Sequence, residues 1–237
     1  VAPGQGVSLV GGTVVNTGTL EAPGGQITVT AVPGTSRVRL QQPGWVMALE
    51  VDASLLTEAG NSAIAPWDLP RLLTEGAPGV ETGLALATDG AVQLADSGVV
   101  VPEQPGTNIV SGQVNASAID PGEVGGEVAI LGDRVGLVDA EVEASGDAGG
   151  GRVLIGGEFQ GNGTLPNAER TYVSEDSTIR ADAGTTGDGG EVIIWADKAT
   201  EFRGEISAQG GSQAGDGGFI EVSGREDLLF RGDVDAT

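Results

Sequence analysis

The chain has 237 residues and a net charge of −23, from 34 acidic against 11 basic side chains. That balance excludes nucleic acid and anionic membrane surfaces as partners, because phosphate contacts need clustered Lys and Arg. Histidine and cysteine are absent, which removes His-based triads, thiol nucleophiles, most transition-metal sites and disulfides.

Hydrophobic residues at 39% fill a thin core, whereas aromatics at 3% are too few for a broad globular one. Glycine is abundant, at 42 residues, yet follows no G-X-Y period, so the chain is not collagen. No apolar run approaches the ~18 residues of a membrane span, and no membrane insertion is expected. Val1-Ala2-Pro3-Gly4 has neither the charged start nor the apolar stretch of a signal peptide. The chain reads as an internal piece of a longer or processed protein.

Residues 1–40 alternate in short β-runs. Gly11-Gly12-Thr13-Val14-Val15-Asn16 reads as a Gly-Gly head followed by a strand. Gly18-Thr19-Leu20-Glu21-Ala22 is a second, shorter element. Gly24-Gly25-Gln26-Ile27-Thr28-Val29 is another head, and Arg37–Leu40 alternates as a strand. Asn16 is polar in an aliphatic column, so its amide must be satisfied by a ladder or by local backbone.

Residues 41–106 break the rhythm with six prolines and two of the three tryptophans. They read as an irregular insertion on one face of the repeat. Asp68–Gly76 predicts a short helix, with Asp68 as N-cap and Gly76 as its end. Leu84–Leu86 and Val92–Leu94 predict a hairpin.

Residues 107–237 return to the repeat. Heads begin at Gly125, Gly150, Gly189 and Gly217. Stacking them gives a fourth column of Val128, Val153, Val192 and Ile220, and a sixth of Ile130, Ile155, Ile194 and Val222. The fifth column, Ala129, Leu154, Ile193 and Glu221, is mixed, and its Glu assigns that face to water. This is the period of a strand with one buried face. A second aliphatic column follows at Val142, Ile179, Ile206 and Val234, and a third inward position is expected at Val138, Phe202 and Phe230. One unit carries an insertion around Gln160–Thr171. Three short strands per repeat predict one coil of a parallel β-solenoid. The predicted organisation is coils over 1–40, insertion over 41–106, and coils over 107–237.

Several stretches carry a resemblance: Gly11–Val32, Val128–Ala140, Val153–Ser177 and Ile193–Gly224. Pro166-Asn167-Ala168 and Trp195-Ala196-Asp197 are its most specific parts. The chain resembles the repeat region of filamentous haemagglutinin-like exoproteins of two-partner secretion, of the cyanobacterial kind. The resemblance implies a right-handed parallel β-helix, export through an outer-membrane β-barrel transporter, and a secreted or cell-surface role in adhesion or extracellular fibres. The N-terminal secretion domain of that family has no counterpart in these residues.

Three features invite a chemical reading. The carboxylates Glu201/Glu205 and Glu226/Asp227 are close in sequence, as expected by chance in so acidic a chain. Arg231-Gly232-Asp233 spells a cell-attachment tripeptide, but Arg203-Gly204-Glu205 is its repeat equivalent, so a structural turn is the preferred reading. Asp147, Asp188 and Asp216 sit in glycine-rich turns. Stacked, they would offer calcium clustered oxygen ligands, although Asp and Gly are also the best turn formers. No catalytic residue, cofactor or other metal is expected.

The function expected is a non-enzymatic structural or adhesive segment, with a cell-surface or polysaccharide ligand. The alternatives are a carbohydrate-active β-helix enzyme and a subunit that self-associates end to end into a fibre.

Overall fold

The computed structural model describes residues 1–33, 37–40, 49–52, 83–88, 91–102, 104–118 and 120–237. The predicted helix near Asp68 lies outside them.

Six coils are stacked, and each gives one strand to each of three six-stranded sheets. The first sheet holds β1 (Gly6–Gly11), β4 (Gln26–Ala31), β11 (Glu127–Leu131), β14 (Arg152–Ile155), β17 (Glu191–Ala196) and β20 (Phe219–Gly224). The second holds β2 (Thr13–Asn16), β9 (Thr107–Val110), β12 (Arg134–Leu137), β15 (Arg170–Val173), β18 (Ala199–Phe202) and β21 (Asp227–Phe230). The third holds β3 (Thr19–Glu21), β10 (Gln113–Asn115), β13 (Glu141–Glu143), β16 (Thr178–Arg180), β19 (Glu205–Ser207) and β22 (Asp233–Asp235). Within these three sheets every strand pairs in parallel with the equivalent strand of the next coil, in coil order, while β5 (Arg37–Leu40) and β6 (Leu49–Asp52) pair antiparallel outside them. The fold is a parallel β-helix.

The register follows from the aliphatic columns, because a one-residue slip would send each of them to the opposite face. Val7, Ile27, Val128, Val153, Val192 and Ile220 form one axial column. Leu9, Val29, Ile130, Ile155, Ile194 and Val222 form the second. Leu20, Val114, Val142, Ile179, Ile206 and Val234 form a third on the third sheet. These columns meet in one interior cluster, in which the members from the inner coils are fully buried. Each such side chain contributes about 1.5–3 kcal/mol of burial.

Glycine pairs mark the corner where the third sheet turns back to the first. A Cβ at Gly126, Gly151, Gly190 or Gly218 would collide with the carbonyl of the matching glycine one coil earlier. A Cβ at Gly125, Gly150, Gly189 or Gly217 would collide with the carbonyl of the alanine that ends its own coil. Close approach between backbones, rather than an unusual φ, selects glycine here.

Three expectations change. Gly11-Gly12 does not head a first-sheet strand. It sits at the corner between β1 and β2, so Val14 and Asn16 belong to the second sheet, and Val7 and Leu9 fill the first-sheet columns. The third inward position in coil three is Leu137, not Val138: the column runs Asn16, Val110, Leu137, Val173, Phe202, Phe230. Coil three is one residue shorter at its first corner and one longer at its second, where Asp139 has φ +53°, so the equal spacing of the flanking columns concealed the shift. Finally, the fifth column does not face water. Leu154 and Ile193 are fully buried in a second cluster with Ala129, Leu131 and Trp195 on the outer side of the first sheet.

Candidate functional site

The three sheets present three different outer faces. On the first, the segment between β14 and β15 folds back as a cover and contributes Leu165 to the outer cluster. Asp197 fastens it: its Oδ1 accepts from Trp195 Nε1 at 3.1 Å and from Asn167 Nδ2 at 3.2 Å, and pairs with Arg225 at 3.0 Å. The Arg225 guanidinium also lies over the Trp195 ring, 5.7 Å from its centroid. The motifs around Asn167 and Trp195 are therefore the two halves of one clamp. Glu221 is accommodated at the edge of this apolar face because its carboxylate accepts from Gln160 N at 3.1 Å and Ser223 Oγ at 2.7 Å.

The third sheet's outer face is lined by polar rungs. Gln113 Nε2 donates to Glu141 Oε2 at 3.0 Å, and Arg180 Nη1 to Glu143 Oε1 at 2.9 Å.

The second sheet carries a groove. β7 (Leu84–Leu86) and β8 (Val92–Leu94) form the expected hairpin. Leu84, Val92, Leu94 and Val101 pack against Ile109 and Val138 on the outer side of the sheet. Beyond that packed zone the outer surface lies open over coils three to six, walled by Val99, Val100 and Pro102. Its two outward rows are Thr107, Arg134, Arg170, Ala199, Asp227 and Ile109, Gly136, Tyr172, Glu201, Leu229. Lys198 pairs with Glu169 at 3.0 Å, and Glu201 with Arg203. Arg134 and Arg170 take part in no ion pair among the described residues. The Glu169 carboxyl is held below its ordinary value, first by Lys198 and further by Arg134 and Arg170.

Polar side chains inside the coils donate to main-chain carbonyls, although Asn108 Oδ1 is left without a partner. Asn16 donates to Gly18 O at 3.2 Å, so it closes its own corner rather than building a ladder. Fully buried Asn108 donates to Val29 O at 2.8 Å and Leu131 O at 2.9 Å, and Thr171 to Trp195 O at 2.7 Å. Asn108 and Thr171 share an inward column with Thr200, which donates to Ser223 O at 2.6 Å. Hydroxyls and amides in this column tie the corner between the first and second sheets.

The residues singled out in the sequence are distributed as follows. Asp188 and Asp216 occupy stacked turns, with Asp216 N donating to Asp188 Oδ1 at 2.8 Å. Asp147 does not join them. Its carboxylate accepts from Gly122 N at 2.8 Å and Thr185 Oγ1 at 2.5 Å, and the residue level with Asp188 is Gly149. Among the described residues, no three acidic side chains gather as a cation site. Glu201 and Glu205 fall on different sheets. Gly232 of the Arg-Gly-Asp turn stacks on Gly204, and a Cβ there would strike the Gly204 carbonyl and the Phe202 ring. The groove residues Arg134, Gly136, Arg170 and Tyr172 escaped the sequence reading. Aligning the second-sheet strands would have exposed them, but the insertion before β15 hides that alignment.

No protein-family model matches the chain, and no curated protein matches it. Among solved structures, the crystal structure of the HMW1 secretion domain from Haemophilus influenzae superposes with a TM-score of 0.48 at 21% identity. The match covers 98% of this chain and 62% of that one, so the chain spans less than two thirds of the length of that domain.

Proposed function

We propose that this chain is a rod segment of a secreted, filamentous haemagglutinin-like exoprotein of two-partner secretion, with a structural and adhesive role and no enzymatic one. The observation that carries the reading is the unbroken column register through six coils. Such a stack transmits length and stiffness, and it leaves its outer faces for partners. The sequence resemblance supplies the export route, an outer-membrane β-barrel transporter, and the location, the cell surface or medium. The cyanobacterial kind of this family is the one whose repeat motifs the chain shares. An antibody raised against the 237-residue chain tests the reading on the organism that makes it. Labelling of intact cells or culture medium, lost when the partner transporter is deleted, is the expected result. Signal confined to the cytosol overturns it.

A further inference from the structure

We propose that Asn162 is a site of spontaneous deamidation, and that its isoaspartyl product releases the cover from the outer side of the first sheet. Asn162 and Gly163 lie in that cover, between β14 and β15, and both are exposed.

The following residue is the first reason. Asn162 is the one asparagine in the chain that precedes glycine. Asn16, Asn61, Asn108, Asn115 and Asn167 precede Thr, Ser, Ile, Ala and Ala. Glycine has no Cβ to shield its own amide nitrogen, and its backbone turns into conformations closed to other residues.

Hydrogen bonding is the second reason. Asn16 and Asn108 donate to main-chain carbonyls, Asn115 accepts from Ser117 N at 2.9 Å, and Asn167 donates to Gly161 O at 3.0 Å. Among the described residues the Asn162 side chain makes no hydrogen bond, and the Gly163 amide donates none. The carboxamide and the nitrogen that must meet are therefore both free. Rotation of Asn162 ψ from its value of 6° carries Gly163 N toward Asn162 Cγ.

The step balances with water and hydroxide alone. Hydroxide takes the Gly163 amide proton, and the nitrogen attacks Asn162 Cγ. The bond from Cγ to the carboxamide nitrogen breaks, and ammonia leaves with a proton from water, which restores the hydroxide. Water then opens the succinimide ring. Attack at Cγ gives aspartate. Attack at the main-chain carbonyl carbon gives isoaspartate, whose main chain runs through Cβ and Cγ.

The clasp beside Gly163 is the third reason. Glu158 Oε2 accepts from Thr164 N at 2.5 Å and Leu165 N at 2.8 Å. The same carboxylate lies so close to Gly163 that a Cβ there would overlap it. This clasp sets Leu165 against the outer cluster. Isoaspartate adds one methylene to the main chain directly before the clasp and puts a carboxylate where a neutral amide stood. The added length breaks the fit, and the added charge repels Glu158.

The reaction depends on this loop alone, so its test is independent of the export reading. Timed incubation of the folded 237-residue chain at mildly alkaline pH, followed by peptide mapping and amide exchange read by mass spectrometry, tests the proposal. Among the five described asparagines Asn162 should convert first, at a rate that rises with hydroxide and is close to its rate in urea. The four hydrogen-bonded asparagines should react at least about tenfold more slowly folded than in urea, because their bonds must open first. The isoaspartyl fraction should lose protection at Thr164 and Leu165, while fully buried Ile194 keeps its own. Asn162→Gln, whose longer side chain disfavours the ring, should keep both its mass and its protection at Thr164 and Leu165. Conversion of Asn162 no faster than that of the bonded asparagines overturns the proposal. So does full protection of Thr164 and Leu165 in the isoaspartyl fraction, or an equal loss of protection in Asn162→Gln.

Discussion

Glycine does two different jobs in this chain, and single substitutions tell them apart. Gly151 lies in the corner ladder, where a Cβ would strike the Gly126 carbonyl. Gly18, at another corner, has nothing within 4 Å of its Cβ position. Gly151→Ala should be strongly destabilising, whereas Gly18→Ala should be neutral or stabilising by about 0.4–1 kcal/mol through the unfolded chain. Urea denaturation of the two variants measures the difference, and equal effects would contradict the ladder. The neighbours Ile193 and Ile194 make a second pair. They point to opposite sides of β17, yet both are fully buried. Ile194→Ala and Ile193→Ala should each cost about 2–5 kcal/mol. A negligible cost at Ile193 would mean that the cover over the first sheet does not hold it.

At the scale of elements, two local devices fasten what the columns do not. The first is the clamp on the segment before β15. Trp195→Ala removes the ring under Arg225 and the donor to Asp197, and should cost about 3–5 kcal/mol. Faster amide exchange confined at first to the cover is the expected signature, and a uniform loss of protection throughout the coils would refute a local clamp. The second is Asp147, which ties the turn at Gly122 to the turn at Thr185 two coils on. Its carboxyl is held below the ordinary value of 3.8, first by the Thr185 hydroxyl and then by the Gly122 amide. A depressed folded value means that the tie is present above the unfolded value and is lost as pH falls through the folded one. Protection of the Gly122 amide, corrected for intrinsic exchange, should therefore fall on acidification below the ordinary carboxylate range. Asp147→Asn should remove that dependence.

At the scale of the whole molecule, stability is spread along an axis and each coil answers to its neighbours. The last coil shows what a missing neighbour does. Leu228, Phe230 and Val234 are exposed, although their column partners Thr200, Phe202 and Ile206 are buried. Phe230 keeps one stacked contact, with Phe202 at 5.4 Å. A further coil of the same kind would cover this face. The first coil of a second copy would fit it poorly, because Gln5 stands level with Gly25 in the glycine ladder. Its side chain would meet the Gly218 carbonyl of an in-register neighbour. The 237-residue chain should sediment as a monomer, and Gln5→Gly should introduce association that rises with concentration. Filaments of the unaltered chain would show that Gln5 is no obstacle.

The coil is written in the order of the residues. Val128, Val153, Val192 and Ile220 were legible as a stacked column because identical local grammar recurs wherever identical coils pack. The antiparallel pairing of Leu84–Leu86 with Val92–Leu94 was legible for the same local reason, since both strands alternate within one short stretch. The outer faces were not legible. Ile193 shares its column with Glu221, and only the cover that reaches it from before β15 decides that it is dry. Val138 and Leu137 exchange roles through a shift of one residue at Asp139, which leaves every flanking spacing intact. Arg134 and Arg170 are far apart in sequence and become neighbours because a whole coil, with an insertion in it, returns the chain to the same azimuth. Interior columns are written by local periodicity. What lies over a sheet depends on chain from elsewhere, which long-range packing alone brings into place.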